Sequence, residues 1–190
     1  QQVFLQYLYL KNIFLKVILI FLSADFLTGV YHFTVDTYGV LNSKFFKNSV
    51  DPLLLHHVDP LFITTQSYWQ INGGMYVFSF LIFCLSLFFG IQWELWLLLL
   101  FCSNGNSIHK WSHAKYENIP KIGRILQKLS LIQTKAHHAK HHMNSFKGNY
   151  CVMTNYLNPI LSTIKFWELI ILSLKTIGLK PVEVYKQLPK

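Results

Sequence analysis

Residues 75–102, MYVFSFLIFCLSLFFGIQWELWLLLLFC, carry one charged side chain, Glu94. A helix through the hydrocarbon core of a bilayer needs about 20 mostly apolar residues. As one helix this run would be about 42 Å long at 1.5 Å per residue, too long for a single crossing without strong tilt. The preferred reading is a hairpin that turns near GIQWE (90–94), with a second helix from Trp93 to about His113. IFLKVILIFLSADFLTGVYHF (13–33) is another apolar run, with Lys16 near one end, where it can snorkel. Asp25 lies deeper, and an aspartate there must face protein or a polar cavity. This helix continues past Gly29 to Asp36 and stops near Gly39, a C-terminal signal. The expectation is an all-α integral membrane protein, one domain over 1–190, with candidate spans at 13–31, 75–90 and 93–108.

Composition agrees. The chain has 190 residues, 52% hydrophobic and 13% charged, against about a quarter charged in soluble domains. The formal net charge is +9. From 103 to 150, Lys110, Lys115, Lys121, Arg124, Lys128, Lys135, Lys140 and Lys147 stand against Glu117 alone. With Lys44 and Lys47 in the first loop, this bias reads as cytoplasmic. No basic stripe occurs without heavy apolar flanks, so nucleic acid is not an expected partner. Cys84, Cys102 and Cys151 form no CxxC pair, which excludes a zinc ribbon or redox dithiol. The chain opens on Gln, which reads as a truncated start with an earlier segment missing.

The remaining segments are read more coarsely. Residues 42–74 are mixed, with Pro52 and Pro60 breaking regular structure and INGG (71–74) a loop. Apolar residues at 125, 129 and 132 have helical spacing, and the histidines of HHAKHH (137–142) extend that helix. The stripe at 160, 164, 167, 171 and 174 suits one helix, lying in the membrane interface or packed in a core. The tail 180–190 reads as an exposed end.

The histidines cluster. All nine fall at 32, 56, 57, 109, 113, 137, 138, 141 and 142, with none between 58 and 108. Residues three or four apart share a helix face. That pairs His32 with Asp36, His109 with His113, His137 with His141, and His138 with His141 and His142. Asn106 lies one turn before His109. His56 and His57 are adjacent and diverge by about 100° on a helix, so they need local irregularity or serve two neighbouring ions. Neutral imidazole binds Zn, Fe, Cu and Ni. Nine histidines with Asp36 and Asp59 exceed the ligands of one zinc and suit two ions. A single crossing by 75–102 would put the clusters on opposite sides of the membrane; a hairpin puts every histidine at one boundary. Taken singly, each histidine pair has an ordinary packing or surface explanation. Together they point to a cytoplasmic-side, histidine-rich di-metal site.

HKWSH (109–113) is an HxxxH box and HAKHH (138–142) an HxxHH box, as in integral-membrane lipid desaturases and hydroxylases. With ADFLTGVYHFTVDTYG (24–39), HHVDP (56–60), NSIHKWSH (106–113), YCVMTNYLNP and FWELI (within 150–170), the chain resembles the Kua/CarF family of plasmanylethanolamine desaturases. Phe33 stands where the family often has Trp, a position read as packing, and the family pattern also expects a membrane segment before residue 13. The resemblance implies two iron ions, O2 as co-substrate, and conversion of an alkyl-ether phospholipid to a vinyl ether. It implies ligand roles for His32, His56, His57, His109, His113, His137, His138, His141 and His142. Asp36 is a ligand or outer partner, and Asn106 a weaker candidate by helical position. It further implies a phospholipid substrate and an electron donor such as cytochrome b5 or a ferredoxin. The membrane would be the endoplasmic reticulum in a eukaryote or the inner membrane in a bacterium. The rivals are an acyl-lipid (phosphatidylglycerol-type) desaturase or hydroxylase on the same scaffold, and a non-enzymatic haem or zinc-binding membrane protein. Haem needs two axial histidines rather than nine. A transport path would need more polar residues in the spans than Asp25 and Glu94.

Overall fold

The computed structural model describes residues 2–44, 47–90, 92–143 and 146–182, so most of the tail assigned above lies outside the described residues. These form ten α-helices and one 3-10 turn, with no strand among the described residues. In chain order they are α1 (Gln2–Tyr38), α2 (Lys47–Leu55), α3 (Phe62–Thr65), α4 (Tyr68–Phe89) and α5 (Trp93–Ser103), then α6 (Gly105–His113), α7 (Lys121–Lys128), α8 (Lys135–Met143), α9 (Leu157–Thr163) and α10 (Phe166–Thr176). Two are long and apolar enough to cross a membrane: α1 over Leu8–Tyr38, and α4. Phe80, Phe88 and Phe89 of α4 stand exposed, an apolar surface suited to lipid.

The apolar run 75–102 is broken at Gly90, whose left-handed backbone (φ 63°) closes α4 and suits a residue without Cβ. Helix α5 then folds back on α4. Trp96 Nε1 donates to Ser86 Oγ at 2.7 Å, and Ser103 Oγ donates to Ser79 Oγ at 2.7 Å. Along α1, Lys16 pairs with Glu94 at 2.7 Å near the start of α5, while Thr28 meets Gly105. Helix α4 therefore carries the chain away from the end of α1 that holds His32, and α5 returns it.

Five sequence expectations fail in detail. The second arm is not one helix from Trp93 to His113. Helix α5 has 11 residues, about 16 Å, and the chain steps at Asn104 to bring α6 against α1. A Cβ on Gly105 would stand 2.6 Å from Thr28 Cγ2, so only glycine permits that approach. INGG is helical rather than a loop: Ser67 and Gln70 form a capping box that starts α4, and Asn72 Nδ2 donates to Ser107 Oγ at 2.9 Å. The histidines of 137–142 do not continue α7. The chain leaves it through Ser130 (φ 56°), and Gln133 then docks on 151–153, donating from its backbone N–H to Met153 O at 2.7 Å and from Nε2 to Cys151 O at 2.7 Å. The stripe 160–174 is two helices bent by 58° at Lys165, which has φ 52°. Pro52, expected to break structure, lies inside α2, which ends three residues later.

Three small cores form, and the strap 150–154 contributes to two of them. Ala24, Ile108, Ile132, Val152 and Met153 form one; Phe33, Tyr150, Cys151, Leu161 and Trp167 form another; Val35, Leu53 and Leu54 form the third. Phe33 stacks on Trp167 with centroids 4.8 Å apart, a packing role. Asp25 explains why α1 tolerates a carboxylate. It is fully buried and accepts from Met153 N at 2.8 Å and Thr154 Oγ1 at 2.5 Å. A buried carboxylate is costly unless bonded in this way, and these bonds anchor the strap to α1.

Candidate metal centre

Eight of the nine histidines meet in one buried cluster, with Asp36. His56, His109, His113 and His138 each offer a ligand atom, all within 4.8 Å of one another, and His32, Asp36, His57 and His141 do the same. His56, His57 and His142 form a third such group between them. Helix α1 supplies His32 and Asp36 one turn apart; α6 supplies His109 and His113; α8 supplies His138, His141 and His142. His56 and His57 lie just past α2, where the helix has ended. That irregularity lets adjacent residues diverge, His56 into one quartet and His57 into the other, with ring centroids 4.3 Å apart.

The surroundings fix the rings. His32 Nδ1 lies 3.1 Å from Tyr150 O, His141 Nδ1 lies 2.7 Å from Gly148 O, and His56 Nδ1 is bonded to Leu53 O. A carbonyl only accepts, so each Nδ1 carries the proton and each Nε2 turns a bare lone pair inward, the arrangement that orients metal-ligating imidazole. Asp36 Oδ2 lies 3.2 Å from both His32 Nε2 and His141 Nε2 and 3.7 Å from His57 Nε2. In the other quartet His109 Nε2 lies 3.0 Å from His138 Nε2 and 3.3 Å from His113 Nε2. His56 Nε2, His109 Nδ1, His138 Nδ1 and Asp36 Oδ1 are buried without a hydrogen-bond partner among the described residues. Lone pairs converging at such distances repel unless a cation lies among them, and orphaned buried polar atoms are costly. The donors thus fit metal ions, of the borderline kind that imidazole and carboxylate favour.

Burial, reinforced by neighbouring imidazoles, holds His56, His57, His109 and His138 well below the usual histidine range. Burial brings His113 down to about 3 and His142 to about 4. All are neutral near pH 7, the form that ligates.

Two candidate ligands stand apart. His137 belongs to none of the three groups; its Nε2 faces Asn158 Nδ2 at 3.4 Å. Asn158 in turn accepts from Cys151 N at 3.0 Å and donates to Cys151 O at 2.8 Å, bracing the strap. Asn106 Nδ2 donates to Ile71 O at 2.7 Å and ties α6 to α4. Asp59, considered with the donors, accepts from Leu61 N at 3.0 Å in a local turn. Sequence reasoning missed Gln133 and Asn158, and the carbonyls of Leu53, Gly148 and Tyr150. A main-chain carbonyl leaves no mark in a residue pattern, and the two amides are single residues without periodicity.

Residues 21–183 match the family model described as a lipid desaturase domain. Mouse plasmanylethanolamine desaturase 1 is 32% identical over 161 residues, covering 77% of this chain and 59% of that protein. The plasmanylethanolamine desaturase of Myxococcus xanthus is 28% identical over 163 residues, 80% of this chain and 56% of that protein. A probable fatty acid desaturase of Acanthamoeba polyphaga mimivirus is 30% identical over 162 residues, 82% of this chain and 78% of that protein. The chain thus spans a little over half the length of the mouse and Myxococcus relatives. No solved structure gives a significant match.

Proposed function

The chain belongs to the lipid desaturase domain family, and from that membership we propose that it is a membrane lipid desaturase that converts plasmanylethanolamine to its vinyl ether. The observation that carries this is the pair of buried donor quartets sharing one cluster. The two relatives named plasmanylethanolamine desaturase support the substrate. Two iron ions suit these donors: His56, His109, His113 and His138 would hold one, and His32, Asp36, His57 and His141 the other, with His142 beside both. When bound, the iron pair supplies the one-electron chemistry by which O2 oxidises an unactivated C–H bond. The balance is R–O–CH2–CH2–R′ plus O2, two electrons and two protons, giving R–O–CH=CH–R′ and two waters. The electrons come from a donor protein such as cytochrome b5 or a ferredoxin.

The chain's own residues supply position and seclusion. Carbonyls of Leu53, Gly148 and Tyr150 hold the Nδ1 protons, keeping each Nε2 free for metal. Burial excludes water, which limits side reactions of the oxidant. The positive charge of 103–150 favours placing the histidine end at the cytoplasmic face, of the endoplasmic reticulum in a eukaryote or the inner membrane in a bacterium.

The test is expression in cells lacking plasmalogen synthesis, fed an alkyl-ether lipid, with mass spectrometry before and after acid. New acid-labile ethanolamine lipid, absent with His138→Ala, is the expected result. No such lipid, with protein present and iron bound, refutes the ether substrate. The relative named a probable fatty acid desaturase favours one second reading, desaturation of an acyl chain; new double bonds in ester-linked chains would establish it.

A further inference from the structure

Three sizeable cavities flank the helices near the histidines, and only one of them includes a member of the donor quartets. One, about 990 Å³, lies between α1, α5–α6 and α7, and another, about 960 Å³, lies between α1, α2 and α4; no quartet residue lines either. The third, about 580 Å³, has Asp36 in its wall. Tyr150, Trp167 and Ile171 give this groove an apolar side, and Lys147, Glu168 and Lys175 also line it. These three charged residues are exposed, whereas Asp36 is buried, so the charge lies at the mouth and the metal donor at the floor. Glu168, Ile171 and Lys175 are spaced three and four apart on α10 and so share one face.

One buried group in this groove lacks a partner. Trp167 is 4% exposed and its Nε1 has no hydrogen-bond acceptor among the described residues. A buried indole N–H normally finds a partner. Its ring lies 5.2 Å from that of Tyr150, which in turn lies 5.4 Å from His141 and 6.0 Å from His32. Meanwhile α10 exposes Leu169 and Leu172, which suits a helix resting in the membrane interface, where phospholipid heads lie.

Resting on the desaturase reading above, we propose that this groove seats the head end of an ethanolamine phospholipid. Lys147 and Lys175 take the phosphate and Glu168 takes the ammonium. Trp167 Nε1–H donates to an oxygen of the glycerol linkage, and the first carbons of the sn-1 chain run past Tyr150 toward Asp36. Two cations and a carboxylate at one mouth match a zwitterion with a free amine. Trp167 is a positioning residue; it touches lipid and not the metals.

The test uses purified, iron-loaded protein in detergent and an alkyl-acyl phosphatidylethanolamine with a diazirine near the glycerol. After irradiation, labelled peptides are mapped by mass spectrometry, so the readout does not require turnover. Label within 146–150 or 166–175 is expected. Label confined to 17–22 and 126–132, or to 47–52 and 69–77, which line the other two cavities, overturns the assignment, and does so even if the lipid is desaturated. Kinetics supply a second arm. Trp167→Phe keeps the ring on Phe33 and loses the N–H; KM should rise about five- to tenfold, the worth of one hydrogen bond, with kcat nearly unchanged. Glu168→Gln should reduce the preference for ethanolamine over glycerol headgroups. Lys147→Gln with Lys175→Gln should weaken competition by a phosphate-bearing ether lipid but not by alkyl-acyl-glycerol. Unchanged KM in Trp167→Phe and unchanged headgroup preference in Glu168→Gln overturn the residue roles. Absence of turnover with label in the groove would instead sink the proposed reaction and leave the binding site standing.

Discussion

Replacing Asp25 tests whether the metal centre is held from behind by the strap 150–154. Asp25→Ala removes the acceptor for Met153 N, at 2.8 Å, and for Thr154 Oγ1, at 2.5 Å. Both donors are buried, since Met153 and Thr154 are each 1% exposed. A hydrogen bond to a buried carboxylate contributes about 1–3 kcal/mol, and orphaning its donor carries most of that cost. Two such losses, partly relieved by relaxation, predict a loss of about 3–5 kcal/mol. Asp25→Asn behaves differently: its amide oxygen can accept from Met153 N–H, and its amide N–H can donate to Thr154 Oγ1. That variant should lose about 1 kcal/mol. At roughly 2–4 °C per kcal/mol for a chain of this size, Asp25→Ala should melt about 10 °C lower and Asp25→Asn only a few degrees lower. Because Tyr150 O at the near end of the strap and Gly148 O just before it orient His32 and His141, metal content should fall with stability. Thermal unfolding in detergent, followed by tryptophan emission, with metal analysis by plasma mass spectrometry, measures both. A loss under about 1 kcal/mol for Asp25→Ala would refute the anchoring argument. Equal loss in both variants would show that the charge, not the acceptor pattern, is what the site requires.

Three other outcomes follow from the geometry. His138→Ala should reduce bound metal relative to wild type while leaving membrane insertion intact; His137→Ala should retain the wild-type metal content, because its ring faces Asn158, and equal metal loss in both variants would contradict this geometry. Chelator-treated protein should lose stability as pH falls below about 6.5, where the unfolded chain takes up protons that buried His113, held down to about 3, does not; His113 alone accounts for roughly 2 kcal/mol between pH 6.5 and 5, and a melting temperature that is flat or rises toward pH 5 would refute it. Gly105→Ala should destabilise by about 1–3 kcal/mol through overpacking, because the new Cβ meets Thr28 Cγ2 at 2.6 Å while Thr28 Oγ1 is tied to Asp25 O at 2.9 Å; a melting temperature equal to wild type would mean that α1 and α6 can separate freely.

The amino-acid sequence alone determined the chemistry on offer and the local order behind it. Spacing of three and four paired His32 with Asp36 and His109 with His113, because a helix face is set by neighbours along the chain. The length and apolarity of 75–102 forced a turn, and Gly90 supplied it. What local periodicity could not decide was everything settled by contacts between distant segments. His137 and His138 are adjacent and alike in sequence, yet one braces Asn158 and the other joins a quartet. The α7–α8 break exists because Gln133 bonds to Cys151 and Met153, and the step at Asn104 lies where Gly105 comes up against Thr28. The division of His56 and His57 between two quartets arises where α2 ends, against helices met only in the fold. These choices rest on burial and hydrogen bonds across tens of residues, which tertiary packing alone brings into range.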